Sequence, residues 1–171
     1  MKIEIANLKP DYANESKESY VSRIASLAPN IPMDILIQWL YDHYDCVKQR
    51  YSWLDISTME YNIEVWSKEE IYNNIKPWNG DAVESWKKQF IENSYYDPNR
   101  LITYMKTNNT WPVPPIILDN DRYLTMPNGD EIGRFGLIEG HHRYAYFKGL
   151  YLSKPNDLLN EHKLWVLKVT R

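Results

Sequence analysis

The sequence predicts a mixed α/β (α+β) domain with a small mixed sheet, preceded by a helical N-terminal extension. Three observations carry that prediction. Residues 59–66, MEYNIEVW, alternate with Met59, Tyr61, Ile63 and Val65 on one side, the period of a strand. Helix-start chemistry then recurs at Ser67 with Glu70, at Asp81 with Glu84, and at Asp97 before Pro98. Short apolar runs rich in branched residues follow those helices, in VPPIILDN, RFGLIEG and KLWVLKVTR. Strands and helices that succeed one another in this way close a layered domain.

The elements run as follows. The first twenty residues are polar, with strand character only at Lys2–Ile5. Pro32 suits a first helical position and Asp34 the positive end of the dipole, while Leu36, Trp39, Leu40, His43 and Val47 share one face. That predicts one helix within residues 32–55, with a boundary near residues 54–58, so that residues 1–58 form the extension and 59–171 the domain. After the strand at 59–66, the Ser67–Glu70 box opens a short helix carrying Ile71 and Ile75. The Asp81–Glu84 pair opens a second over AVESWKKQFIEN, and Asp97–Pro98 a third with Leu101, Ile102 and Met105 available for packing. VPPIILDN reads as a strand with its prolines at the start, and Asn128–Gly129 as the turn of a hairpin. RFGLIEG is a strand, HHRYAYFKGL a helix, and KLWVLKVTR a closing strand with Leu164, Val166 and Val169 inward.

Composition narrows the function classes. The net charge of -3 in 171 residues gives no basic footprint for duplex binding. One cysteine, Cys46, forms no internal disulfide and no cysteine-rich zinc site, and it is read as a small hydrophobe. No apolar run approaches the roughly 20 residues that span a bilayer, and residues 1–20 lack the apolar core of a secretory signal. A cytoplasmic protein without membrane, zinc or haem is the expectation. His43 and His162 make no ligand spacing with His141 and His142 and are read as core or surface residues.

The chemistry concentrates in GLIEGHHRYAYFKG, residues 136–149. A strand that hands a glycine to a helix presents unpaired backbone N–H groups and a positive dipole end. Gly140 allows close approach of a ligand, and His142 and Arg143 add donors, the guanidinium fork gripping two phosphate oxygens. Cations are unfavourable at this end of a helix, so their presence points to a bound anion; the alternative is a solvated basic helix start. On the third helix Arg100, Thr103 and Thr107 lie along one face, either as further phosphate and sugar donors or as a solvated surface.

Asp97-Pro98-x-Arg100, Thr103 and Thr107, then VPPI at Val113 to Ile116, then FGLIEGHHRYAYFKGL, resemble in order and spacing the ParB/sulfiredoxin-like family, over roughly residues 59–171. The resemblance implies a nucleotide pocket formed by Arg100, Thr103, Thr107, Gly140, His142 and Arg143. It implies ATP or another nucleotide with Mg2+, and phosphoryl transfer or nucleotide hydrolysis as the chemistry. Sulfiredoxin carries a catalytic cysteine where His141 stands here, so sulfinic acid reduction is not expected. The chain runs only a short way past the block, leaving no room for the helix-turn-helix domain of partition proteins, so a partition role is not expected either.

Glu139 and His141 are the candidates for catalysis: Glu139 to orient Mg2+ or act as base, His141 as base or phosphate ligand. The competing reading of Glu139 is an ion-pair partner for its basic neighbours. Glu64, on the first strand of the domain, is a further acid with an undetermined facing. The extension supports a different class. Trp39, Tyr41, Tyr44, Tyr51, Trp53 and Trp66 interleave with Asp34, Asp42, Asp45 and Asp55. Such a surface suits a basic protein partner, as in an immunity protein or antitoxin that binds its toxin directly; the alternative is that the rings cap the sheet and the acids are solvated.

Overall fold

In the computed structural model, which describes residues 3–94, 96–97 and 100–170, five strands form one sheet. They are β1 (Met59–Ser67), β2 (Ile75–Pro77), β3 (Ile116–Asp119), β4 (Phe135–Glu139) and β5 (Glu161–Val169), in the spatial order β1-β5-β3-β4-β2. The helices are α1 (Lys17–Leu27), α2 (Met33–Ile35), α3 (Tyr44–Tyr51), α4 (Lys68–Asn74), α5 (Gly80–Ile91), α6 (Leu101–Asn108) and α7 (His141–Ser153). The fold is a mixed α/β one with a small mixed sheet. The chain divides into two units: Met1–Tyr61 with Thr125–Asp130 and Leu167–Arg171, and Asn62–Leu124 with Glu131–Val166.

The sheet is mixed because its connections differ in length and sense. β2 and β4 are parallel, with Ile75 beside Phe135 and Pro77 beside Leu137. β3 and β4 are antiparallel, Asp119 facing Phe135 and Ile116 facing Glu139 across a register irregularity. β5 runs the same way as β3, since Leu159 N–H donates to Asn109 O and Trp165 N–H to Pro115 O. β1 opposes β5: Lys68 N–H donates to Asn160 O at one end, and the Thr170 hydroxyl donates to Thr58 O at the other. β2 is only three residues long and takes Ile75, which the sequence assigns to the preceding helix.

One face of this sheet carries the core of the second unit. Ile117, Leu137, Leu164 and Val166 meet Ile71, Val83, Phe90, Ile102, Met105, Tyr144, Phe147 and Leu150 from the helices. The opposite face is buried too, at Ile116, Leu118, Ile138 and Trp165, so β3 reads as a continuous apolar run instead of an alternating one. Val169 has the parity opposite to Leu164 and Val166 and is half-buried, which corrects its expected inward facing. Helices α5 and α7 approach closely: a Cβ on Gly149 would lie 2.5 Å from Phe90 Cδ1. Phe90 also stacks on Tyr146 with ring centroids 5.4 Å apart.

Helix starts follow local chemistry. α4 has the expected capping box, Ser67 Oγ accepting from Glu70 N and the Glu70 carboxylate from Ser67 N. α5 does not use Asp81 and Glu84; Asn79 is its N-cap, with Oδ1 accepting from Ala82 N at 3.1 Å. Glu84 instead pairs with Lys87 and Lys148, and those hydrogen bonds hold its carboxyl below the ordinary range. The expected Asn-Gly turn forms, with Gly129 at φ 88° and Met126 N–H donating to Asp130 O, and single bridge residues, Thr125 and Glu131, stand on either side of it in place of full strands. His162 on β5 is buried, its Nε2–H donating to Leu159 O at 2.9 Å and its Nδ1 accepting from the Thr110 hydroxyl at 2.8 Å.

The first unit departs further from expectation. Lys2 lies outside the described residues, and Ile5–Leu8 is a 3₁₀ turn with Ile5 and Leu8 buried, not a strand. The polar segment after it contains α1, capped by Ser16 and burying Tyr20 and Ile24; the Tyr20 hydroxyl donates to Leu8 O. The single helix expected from Pro32 onward is interrupted. α2 passes into a π-helical segment at Leu36–Tyr41, and α3 restarts after His43. Leu36, Trp39, Leu40 and Val47 are buried as the pattern predicts, whereas His43 is exposed because the break resets the helical phase.

Candidate functional site

Parallel neighbours β2 and β4 end at the same side of the sheet, and each hands its chain to a helix. β2 leads through Trp78 and Asn79 into α5, and β4 through Gly140 into α7. The two turns touch: the Trp78 and His141 rings are 5.1 Å apart, centroid to centroid. In open α/β sheets ligands gather at the carboxyl ends of strands, where helix N-termini converge.

Gly140 is required at its position on two counts. Its φ of 96° lies in the left-handed region, and a Cβ there would come within 2.6 Å of Pro115 Cβ. The VPPI segment and the glycine turn, distant in sequence, therefore lie in direct contact. As the N-cap of α7, Gly140 contributes no side-chain acceptor to the helix.

Arg143 binds these two segments together. Its guanidinium is buried; Nη1 donates to Val113 O at 2.8 Å, and Nη2 pairs with the Glu139 carboxylate one turn back. Glu139 is thus engaged by Arg143, in line with the ion-pair reading of that acid. A buried pair of this kind is costly to break from one side, because the remaining charge loses its compensation.

The histidines face the aromatic residues of the other turn. His142 is exposed and lies against Trp86 at 3.8 Å between centroids, with Tyr146 at 6.0 Å. His141 is half-buried against Trp78, a ring that remains 45% exposed. Trp78 and Trp86 were not legible as site residues. The available signal was the Trp78-Asn79-Gly80 turn after a short strand, masked by the capping-box look-alike at Asp81.

The α6 cluster is placed differently. Pro98 and Asn99 lie outside the described residues. Arg100 is the N-cap of α6, exposed and left-handed at φ 55°, with no side-chain hydrogen bond or ion pair among the described residues. Asp97 performs the capping, accepting from Ile102 N, Thr103 N and the Thr103 hydroxyl. Burial works to raise its pKa, but these hydrogen bonds outweigh it and hold the carboxyl below the ordinary range. Thr107 donates its hydroxyl to Thr103 O. Burial and then the Asp97 carboxylate raise the Tyr146 phenol, and α6 packs against α7. Glu64 accepts from Trp66 Nε1 at 2.9 Å on β1.

Among the described residues no group of three or more His, Cys, Asp or Glu is placed to hold a metal ion. No described helix is long and apolar enough to cross a membrane. Of the rings in the extension, Trp39, Tyr44 and Tyr51 are buried and form no docking surface, which corrects their expected role; Trp39 and Tyr51 pack edge to face. Tyr12, which the aromatic pattern passed over, is 54% exposed beside Tyr41. The chain matches no family model, no curated protein and no solved structure.

Proposed function

We propose that this protein binds a nucleotide through its phosphates, on a scaffold of the ParB/sulfiredoxin-like type, at the paired turns after β2 and β4. The observation that carries the reading is Gly140: a left-handed glycine opening a 13-residue helix without supplying a cap, beside a second helix start. The phosphates sit over the first turn of α7, where backbone N–H groups and His142 donate. Arg143 holds the turn in shape through Glu139 and Val113, and Arg100 with the start of α6 closes the site from the side. The exposed Trp78 ring supplies a stacking face for a base.

Mg2+ enters with the nucleotide in this reading, since the nearby carboxylates of Glu139 and Asp97 are engaged by Arg143 and by the α6 backbone. If phosphoryl transfer or hydrolysis follows binding, His141, beside Trp78 at the start of α7, is the candidate base.

Thermal unfolding with ATP, ADP, CTP, GTP and inorganic phosphate, with and without Mg2+, tests the proposal. A ligand at a hundredfold excess over its Kd stabilises by about 2.7 kcal/mol, a rise on the order of 5 °C for a chain of this size. The rise is expected to vanish in His142→Ala. A melting temperature indifferent to every nucleotide at millimolar concentration sinks the proposal.

A second reading, a non-enzymatic immunity protein or antitoxin, is favoured by Tyr12. Partial desolvation and the Asp45 and Asp42 carboxylates raise its phenol, so an exposed ring sits among acids as a basic partner protein would require. Co-expression with the product of an adjacent gene tests it: a complex lost in Asp42→Lys supports it, and the absence of any complex removes it.

A further inference from the structure

The dipeptide Asn-Gly occurs twice in the chain, at Asn128-Gly129 and at Asn79-Gly80, each time followed by an aspartate. An asparagine before glycine is open to attack on its own side chain, because the glycine has no Cβ to keep its backbone nitrogen away from the amide. The two copies share their immediate chemistry and differ in their surroundings. Pro127, Asn128, Gly129 and Asp130 are all exposed, and a Cβ on Gly129 would meet nothing within 4 Å. Their turn is closed by Gly129 N–H donating to Met126 O at 2.8 Å. The Asn128 amide engages Asp130 at both ends, accepting from its backbone N–H at 3.2 Å and donating to its carboxylate at 2.8 Å. Water replaces such exposed bonds at little cost. Asn79 is half-buried and caps α5: its Oδ1 accepts from Ala82 N at 3.1 Å and its carbonyl from Val83 N at 3.2 Å. Val83, in that first turn, is fully buried. Turning the Asn79 amide toward Gly80 N therefore removes the cap and frays a helix start anchored in the core.

We infer that Asn128 is a site of spontaneous deamidation in the folded protein, and that Asn79 is protected from it by capping α5. The Gly129 nitrogen gives up its hydrogen to solvent hydroxide and bonds to Asn128 Cγ. The Cγ–Nδ2 bond breaks, and Nδ2 leaves as ammonia after taking a proton from water. Water then opens the five-membered succinimide at either carbonyl, giving aspartate or isoaspartate; nothing is oxidised or reduced. Aspartate at this position sets a carboxylate where Nδ2 had donated to Asp130, so like charges meet across the turn. Isoaspartate routes the main chain through the former side-chain carbon and lengthens it by a methylene. Either product loses the amide donor, so the modification is one-way and loosens the turn that allowed it.

Incubation of the full chain at mildly alkaline pH, native and in urea, tests the inference, with proteolytic digestion and mass spectrometry of the two Asn-Gly peptides as the readout. In urea both asparagines are expected to convert at comparable rates, since each precedes the same Gly-Asp pair. In the native chain Asn128 is expected to convert roughly tenfold faster than Asn79, the factor that a helix cap of ordinary strength supplies. Equal native rates overturn the inference, because they mean that both sites react through global unfolding. Faster conversion at Asn79 overturns it too, as does a native chain in which neither site converts while both do in urea. No conversion in urea removes the chemistry itself.

Discussion

The turns after β2 and β4 occupy equivalent places, each joining a parallel strand to a helix, yet they are finished differently. After β2, Asn79 uses its own side chain to cap α5 through Ala82 N. After β4, Gly140 has no side chain to offer, and the turn is instead held from behind by Arg143, Glu139 and Pro115. A capped helix start is complete within its own chain. A glycine start that is braced from inside keeps its outer side accessible, which is the arrangement an anion needs.

Three substitutions probe that difference. The largest effect is expected from Arg143→Ala, which leaves Glu139 as an uncompensated, largely buried charge. A loss of about 3 to 5 kcal/mol in chemical denaturation is expected, with part of it restored by adding Glu139→Gln. If Arg143→Ala is as stable as the parent, the guanidinium does not brace the turn. Gly140→Ala comes next. The left-handed backbone and the contact with Pro115 together give a cost of about 2 to 3 kcal/mol, read from the denaturation midpoint. A neutral result would mean that the β4 turn tolerates a side chain as readily as the other does. The smallest effect is Asn79→Ala, at about 1 kcal/mol, with nucleotide-dependent stabilisation unchanged. Loss of that stabilisation in Asn79→Ala would show that the two turns act as one site.

The two turns also differ in how far the sequence reveals them. Gly140 is legible because an apolar strand, a glycine and a basic helix start follow one another without interruption. Asn79 is obscured because Ile75–Pro77 is too short to display a period, and Asp81 with Glu84 imitates a capping box three residues apart. Ser67 with Glu70 has the same spacing and does form the box, so the pattern alone does not decide which polar residue accepts the amide. The alternation at 59–66 correctly marks β1, but a period of two says that Tyr61, Ile63 and Val65 share a face, not that anything covers it. Helix α1 was hidden by polarity, since only Tyr20 and Ile24 mark its buried side. The π-helical segment at Leu36–Tyr41 leaves no sequence signal: it keeps the apolar spacing on one side and changes only the backbone bonding. Within the site, the pairing of Arg143 with Glu139 joins a strand end to a helix across the left-handed Gly140, so helical spacing alone does not give it, and the contact of His142 with Trp86 depends on how two helices lie together.

The buried imidazole of His162 sets an acid limit on the last strand. Burial pushes its pKa down to about 4, and both ring nitrogens have partners that suit only the neutral form with hydrogen on Nε2. The unfolded chain takes up a proton near pH 6.5 and the folded chain only near pH 4, so stability is complete above the first value and declines as pH falls toward the second. The loss integrates to about 3 kcal/mol, and below pH 4 this group contributes no further change. Denaturation midpoints followed from neutral pH to pH 4 should trace that decline, and His162→Gln should flatten it. Acidification would then loosen β5 at its first residues, where Thr110 and Leu159 meet the ring.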